Sequence, residues 1–435
     1  MCTRRLNART QLRARGVAAV LVLAAAMLAP EGGLSRVAEA QSGFETPPVL
    51  PATELAPPYL LQGPTFTVDN QVPIQGMLGQ FMIRADVGTF EAHGREMLRI
   101  RVGELHAIAQ IEQMSKSDVF LKAAANAVAR PVESMAHLLE DPVQTAQGLS
   151  GGVERFFGRV ELGAQSLDTA VSTPASSSTD QAELIAKRVG GLAANVFGYE
   201  AERRALAKSL GVDPYTTNPV LAKKLSDMAW VAFSGRVGVN TLISVFVPAS
   251  IAISATSFTN SLIYDTPAAD LIVSNQQKLL AMGASDQQTQ ALIKNPWYSL
   301  SVLTSLVTAL DRMSGVNGRP AVVELAASAT TEDQARFLAN AVEMLAAQQQ
   351  TGEPLAGVLA VGTVIGRTQS GALIIPGAAD YVAWTERVAG FAGRSDLQGT
   401  PGSLWVTGKM SPEAQRQFAT VGWTVYQNVP PPWQR

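Results

Sequence analysis

VGVNTLISVFVPASIAISATSFTNSLIY, residues 237–264, runs for 28 positions between Arg236 and Asp265 without a charged side chain. A stretch of that length has to be sheltered from water by lipid or by protein, and the choice decides the fold around it. Ten of its residues are Ser, Thr or Asn, and Pro248 interrupts its middle. A helix centred in lipid favours Leu, Ile, Val and Phe, whereas small polar residues suit close contact between helices inside a protein. The composition therefore predicts two helices meeting near Pro248, buried at the centre of a helical body. Insertion in a membrane, with Val237 to Tyr264 as the contact, is the alternative.

The surrounding sequence repeats the helical signal. Leu98, Val102, Leu105 and Ala109 recur at the spacing of one helix face, and further amphipathic stretches follow around 119–140, 150–167 and 180–210. Asn218-Pro219 is a good helix start, because the Asn side chain can accept an orphan amide and proline suits the first helical position. Ser285-x-x-Gln288 and Thr330-x-x-Asp333 have the form of capping boxes. Most of residues 94–350 is predicted to be helical.

Beyond Pro354 the period changes. Residues 358–365 and 373–375 are β-rich runs split by Gln369-Ser370-Gly371, which predicts a hairpin, and 380–391 then looks helical. Leu404-Trp405-Val406, a helix opened by Ser411-Pro412-Glu413, and residues 423–426 make a strand, helix, strand succession. Upstream, the prolines of 41–65 predict an extended leader or linker, and 66–90 one or two short strands or an irregular arm. The expected fold is mainly α: a multi-helix bundle with a buried apolar helix pair over 66–352, a small C-terminal α/β (α+β) unit over 353–429, and a tail over 430–435.

Residues 1–40 have the order of an export signal. Arg4, Arg5, Arg9, Arg13 and Arg15 precede an apolar run from Val17 to Leu28, and Ala38-Glu39-Ala40 has the small-x-small pattern of a cleavage site. The only cysteine, Cys2, lies inside this segment, so cleavage before Gln41 leaves a chain with no thiol, no disulfide and no thiolate metal site. The segment also holds six of the 34 basic residues and two of the 36 acidic ones, so its loss leaves a mildly acidic protein. No basic stripe with interleaved aromatics remains, which excludes a nucleic-acid partner. Hydrophobic residues at 47% with only 16% charged, against about a quarter in ordinary soluble domains, point to extensive burial.

Candidate chemistry is sparse, and no cofactor or metal is expected. Glu133, His137 and Asp141 share a face if their helix is continuous, and carboxylates around an imidazole suit proton transfer; Pro142 ends that helix, and a histidine in a last turn is favoured by the helix dipole alone. Gly148-Leu149-Ser150-Gly151-Gly152 matches the hydrolase elbow G-x-S-x-G, but no strand precedes it and His93, His106 and His137 all lie upstream, where an α/β-hydrolase has its histidine last. His93 and His106 sit among Glu91, Arg95, Glu96 and Glu104, as on a solvated polar face. Trp384, Trp405, Trp423 and Tyr426 concentrate near the C-terminus and could form a binding surface or pack a small core.

These patterns lead to an exported, non-enzymatic binding or structural protein of a Gram-negative cell envelope, periplasmic or secreted, with an unknown protein or envelope component as partner. A membrane-active protein using 237–264 is the alternative, and a hydrolase with a carboxylate-based site is the second.

Overall fold

The computed structural model, which describes residues 43–127, 191–243 and 257–432, opens on a sheet. Strands β1 (Val49–Pro51), β2 (Gln62–Gly63), β3 (Phe66–Val68), β4 (Gln71–Gln75), β5 (Leu78–Ala85) and β6 (Gly88–His93) form one six-stranded antiparallel array, with a short helix α1 (Ala52–Leu55) after β1. β5 is its hub. Its first two residues pair with β4, its last three with β3, and Gln80 to Ala85 with β6. Alternation along β5 turns Phe81 and Ile83 inward, where the chain lays α2 (Gly94–Ser115) across the sheet. Leu98, Val102, Leu105 and Ile108 of that helix close a single core with the strands and with α5 (Pro219–Ser234). Helices α3 (Asp118–Asn126), α4 (Gly191–Leu210) and α6 (Val239–Ile243) complete this first body.

The second body begins with α7 (Ser257–Asp265), α8 (Ala268–Ala281), α9 (Asp286–Ile293), α10 (Leu300–Arg312), α11 (Arg319–Ala327) and α12 (Glu332–Thr351). Then come β7 (Leu355–Ala360), β8 (Val364–Thr368), β9 (Leu373–Gly377), β10 (Tyr381–Val382), α13 (Glu386–Ala392), β11 (Gly402–Val406), β12 (Lys409–Met410), α14 (Pro412–Thr420) and β13 (Trp423–Tyr426). The main sheet has the order β13-β11-β9-β8-β7, antiparallel from β7 to β9 and parallel from β9 to β13, and β10 pairs with β12. Both of its faces are covered. Val364 and Ile374 point to a core shared with α10, α11 and α12, while Ile365, Leu373 and Ile375 point to a second core with Phe391 of α13 and Phe418 of α14. The whole of β9 is buried, as a strand between two layers must be.

The expectation of a mainly α bundle is overturned: the described residues are 52% helix and 19% strand, in sheets of six, five and two strands. The underestimated element is the first sheet: one or two short strands or an irregular arm are expected over 66–90, and four strands, β3 to β6, lie over 66–93, joined by β1 and β2 from the proline-rich stretch. Apart from β5 these strands are short and most bury only one or two large side chains, so their number is not carried by local pattern. The proline-rich stretch belongs to this sheet, since Leu50 pairs with Val72 in β4. Residues 358–365 divide into two strands at Gly362, which takes a positive φ of 76°. Of the uncharged stretch 237–264, the flanks are helical, with Val239, Leu242 and Ile263 buried. Residues 244–256, including Pro248 and the proposed meeting of two helices, lie outside the described residues.

Several local expectations hold. Asn218 caps α5 through the amides of Val220 and Leu221, Ser285 and Gln288 form a reciprocal capping box, and Ser411 caps α14. At α12 the cap is Thr331, one residue later than expected, with its hydroxyl accepting from the Gln334 amide.

Candidate functional site

Each body has its own large core, and the contacts between them combine apolar packing, such as Tyr264 and Tyr381 against the first core, with a set of buried polar and charged pairs. The layer of contacts starts at the hairpin between β4 and β5. Gly76 and Met77 both have positive φ, 54° and 80°, the twist that a two-residue antiparallel connection requires. Met77 is not a glycine, so it carries a conformational cost, and tertiary contacts hold it there. Its carbonyl accepts from the amides of Asp380 and Tyr381, and its side chain packs against Phe337 and Ala378.

Asp380 lies just beyond the carboxyl end of β9, where the sheet switches from antiparallel to parallel neighbours. In open α/β sheets that is the usual place for a ligand. Here the first body fills it. The Asp380 carboxylate, 5% exposed, accepts from the Gly79 amide at 2.9 Å, the Arg95 amide at 3.1 Å and Arg95 Nε at 3.3 Å. Burial pushes the Asp380 pKa up, and Arg95 with the two amides opposes that push. The Arg95 guanidinium also donates to the Thr407 carbonyl at 2.7 Å, so one side chain ties α2 to two loops of the second body.

A continuous polar rail leads from there along α2 and α12. Buried Glu104 accepts from Arg101 Nη1 at 2.7 Å, from Asn218 Nδ2 at 3.0 Å and from the Thr216 hydroxyl. Arg101 reaches on to Thr217, whose hydroxyl donates to Glu332 at 3.0 Å. Arg336 sits between Glu332, at 3.0 Å, and Glu96, at 3.5 Å, and Asn340 donates to Glu96 at 2.6 Å. Burial alone would raise the Glu332 pKa; Arg336 and Arg101 more than offset it, so the net direction is down. Each buried charge on this rail has a partner, as its cost of desolvation demands.

Beside the rail a solvent-open cleft of about 640 Å³ separates β4, β5 and β6 from the start of α12. Gln75, Gln80, Glu91 and His93 line one wall; Thr331, Glu332 and Asp333 line the other. His93, the last residue of β6, bridges them. Its Nδ1 lies 2.6 Å from Asp333 Oδ2, and its Nε2 lies 3.8 Å from Glu91 Oε2. The Asp333 bond raises the His93 pKa above its ordinary value of 6.5, burial pulls the other way, and the charges of Asp333, Glu91 and Glu332 add to the rise. The acidic residues at the start of α12 are in turn favoured by the helix dipole. Such a site can donate and accept hydrogen bonds to a polar ligand and can exchange a proton. Among the described residues no group of three His, Cys, Asp or Glu is placed to hold a metal ion, and no helix is long and apolar enough to cross a membrane.

The residues singled out by sequence fall elsewhere. Glu133, His137, Asp141 and Ser150 lie outside the described residues. Trp384 and Trp423 are buried around Phe418, edge-on at 5.4 Å and stacked at 5.6 Å, and Trp405 is half-buried against the other face of the sheet. Only Tyr426 stands exposed. The cleft's own residues carried one weak signal, the polar cluster around His93; its partner Asp333 is 240 positions away and invisible to local pattern. No family model, curated protein or solved structure matches the chain.

Proposed function

We propose that the protein is exported by its N-terminal segment and acts in the cell envelope as a binding protein, with a small polar ligand seated in the cleft between the two bodies. The observation that carries this is the cleft itself: its volume of about 640 Å³ falls within the few hundred to a thousand Å³ usual for small-molecule sites, and its walls come from different bodies. Contacts of this mixed kind between such bodies permit relative movement, so a ligand can be enclosed and released. The lining favours binding over covalent catalysis. Its one hydroxyl among the described residues, Thr331, is engaged in capping its own helix. Acid–base hydrolysis is a second reading, favoured by the carboxylates set at the two ring nitrogens of His93.

Two measurements test this. Fractionation of native cells is expected to place the protein in the periplasmic or secreted fraction; recovery with alkali-resistant membranes would favour the membrane-active alternative. Native mass spectrometry of the protein isolated from its own cells is expected to show a bound species that is lost in Glu91→Gln and Asp333→Asn variants. Turnover of that species by the wild type would move the assignment to the hydrolytic reading, and its retention by both variants would remove the cleft as the site.

A further inference from the structure

The arginines around the cleft are matched to carboxylates other than those of Glu91 and Asp333. Arg95 is committed to Asp380, Arg101 to Glu104, and Arg336 to Glu332 and Glu96. These groups, with Glu91 and Asp333, are the charges that face His93 from its own strand, from the start of α2, from α12 and from the loop after β9. Glu91 and Asp333 belong to opposite walls, and among the described residues the imidazole of His93 is the cationic group set against both.

We infer that His93 is a proton-operated clasp: as an imidazolium it holds the strand wall of the cleft to the α12 wall, and loss of its proton lets the walls separate. Protonated, the ring attracts both carboxylates, and its bond to Asp333 is charge-assisted. Neutral, it keeps at most an ordinary hydrogen bond, and its attraction for the carboxylates of Glu91 and Asp333 is lost. The upward shift of the His93 pKa means that the clasp is fully set below the ordinary histidine range and released as pH rises through the shifted value. The clasp governs ligand capture only if the cleft is the binding site proposed above.

The absence of cysteine beyond Cys2 makes the movement measurable. In the full chain carrying Cys2→Ser, the substitutions Thr89→Cys on β6 and Thr330→Cys before α12 place spin labels on exposed positions at the two walls. Pulsed electron resonance is expected to give a short, narrow distance distribution at about pH 6 and a longer, broader one at about pH 9. His93→Gln and Asp333→Asn are expected to give the longer distribution at both values, while Glu343→Gln, which removes another titratable group of the same layer, retains the shift. Equal distributions at the two pH values in the parent chain, or an undiminished shift in His93→Gln, would overturn the clasp. Circular dichroism of each variant separates a change of distance from a failure to fold. Movement without any captured ligand would leave the clasp and remove the binding proposal; capture without movement would do the reverse.

Discussion

The first body closes on an all-antiparallel sheet covered by one long helix, and the second on a mixed sheet with helices on both faces. Despite that difference each is held the same way, by aliphatic and aromatic side chains with almost no exposed surface. The layer between them is built differently. It contains the Asp380–Arg95 pair, the rail from Glu104 to Glu96 and the His93 bridge, together with apolar packing such as Tyr215 against Leu271 and Leu300. Hydrophobic burial is non-directional and tolerates small displacements, whereas charged hydrogen bonds fix orientation and respond to protons and ligands. The cores therefore set what each body is. The layer between them sets how the bodies stand to one another, and it is the part that can be altered without unfolding either one.

Breaking a core has the largest expected effect. Phe418→Ala removes the ring on which Trp384 and Trp423 pack, and a buried aromatic truncation costs about 3–5 kcal/mol. Urea unfolding followed by tryptophan fluorescence reports on the two neighbours directly. A loss under about 1 kcal/mol would mean that this face of the sheet is not closed as described. In the intervening layer the test is one-sided removal. Arg95→Met leaves the Asp380 carboxylate buried with amides alone, and such an uncompensated charge costs about 3 kcal/mol. Adding Asp380→Asn keeps an acceptor for the amides while removing the charge, so the double variant is expected to recover part of that loss. A double-mutant cycle checks it, and strict additivity would show that Arg95 and Asp380 are not coupled.

Legibility in the sequence followed the same division. Helices with caps and a long apolar face were readable, as Asn218, Ser285 and Ser411 show, because cap and periodicity lie within one turn of each other. The strand, helix, strand succession at the C-terminus was readable for the same reason. The first sheet was readable only as one or two short strands over 66–90; its six-stranded extent was not, since β5 is stabilised by three partners that its own residues do not announce. Nor is the cleft: locally Glu91 and His93 read as a solvated polar face, and what changes their meaning is Asp333, brought to His93 by α12 from 240 residues away. Aromatic density pointed toward Trp384 and Trp423 as a surface or as packing, and the structure places both within the core.

Glu343 sharpens the comparison most finely, because it lies where a core and the polar layer meet. It sits on α12, 8% exposed, near Glu96 and Arg312. Burial and then the Glu96 charge raise its pKa from 4.5 to about 7, against the pull of Arg312 and Ser305. A folded-state value above the unfolded one means that the contribution is full below about pH 4.5 and declines as pH rises through about 7. The shift corresponds to about 3 kcal/mol between those limits. Glu343→Gln stays uncharged throughout, so its stability is expected to match the parent at about pH 4 and exceed it at about pH 8, with a flatter profile in urea titrations across the range. His93 contributes a slope of the same sign, so the profile of Glu343→Gln flattens without becoming level, and combining it with His93→Gln flattens it further. Parallel profiles for parent and variant would show that Glu343 is already ionised and solvated in the folded protein, and that the polar layer reaches deeper between the bodies than α10 and α12 now indicate.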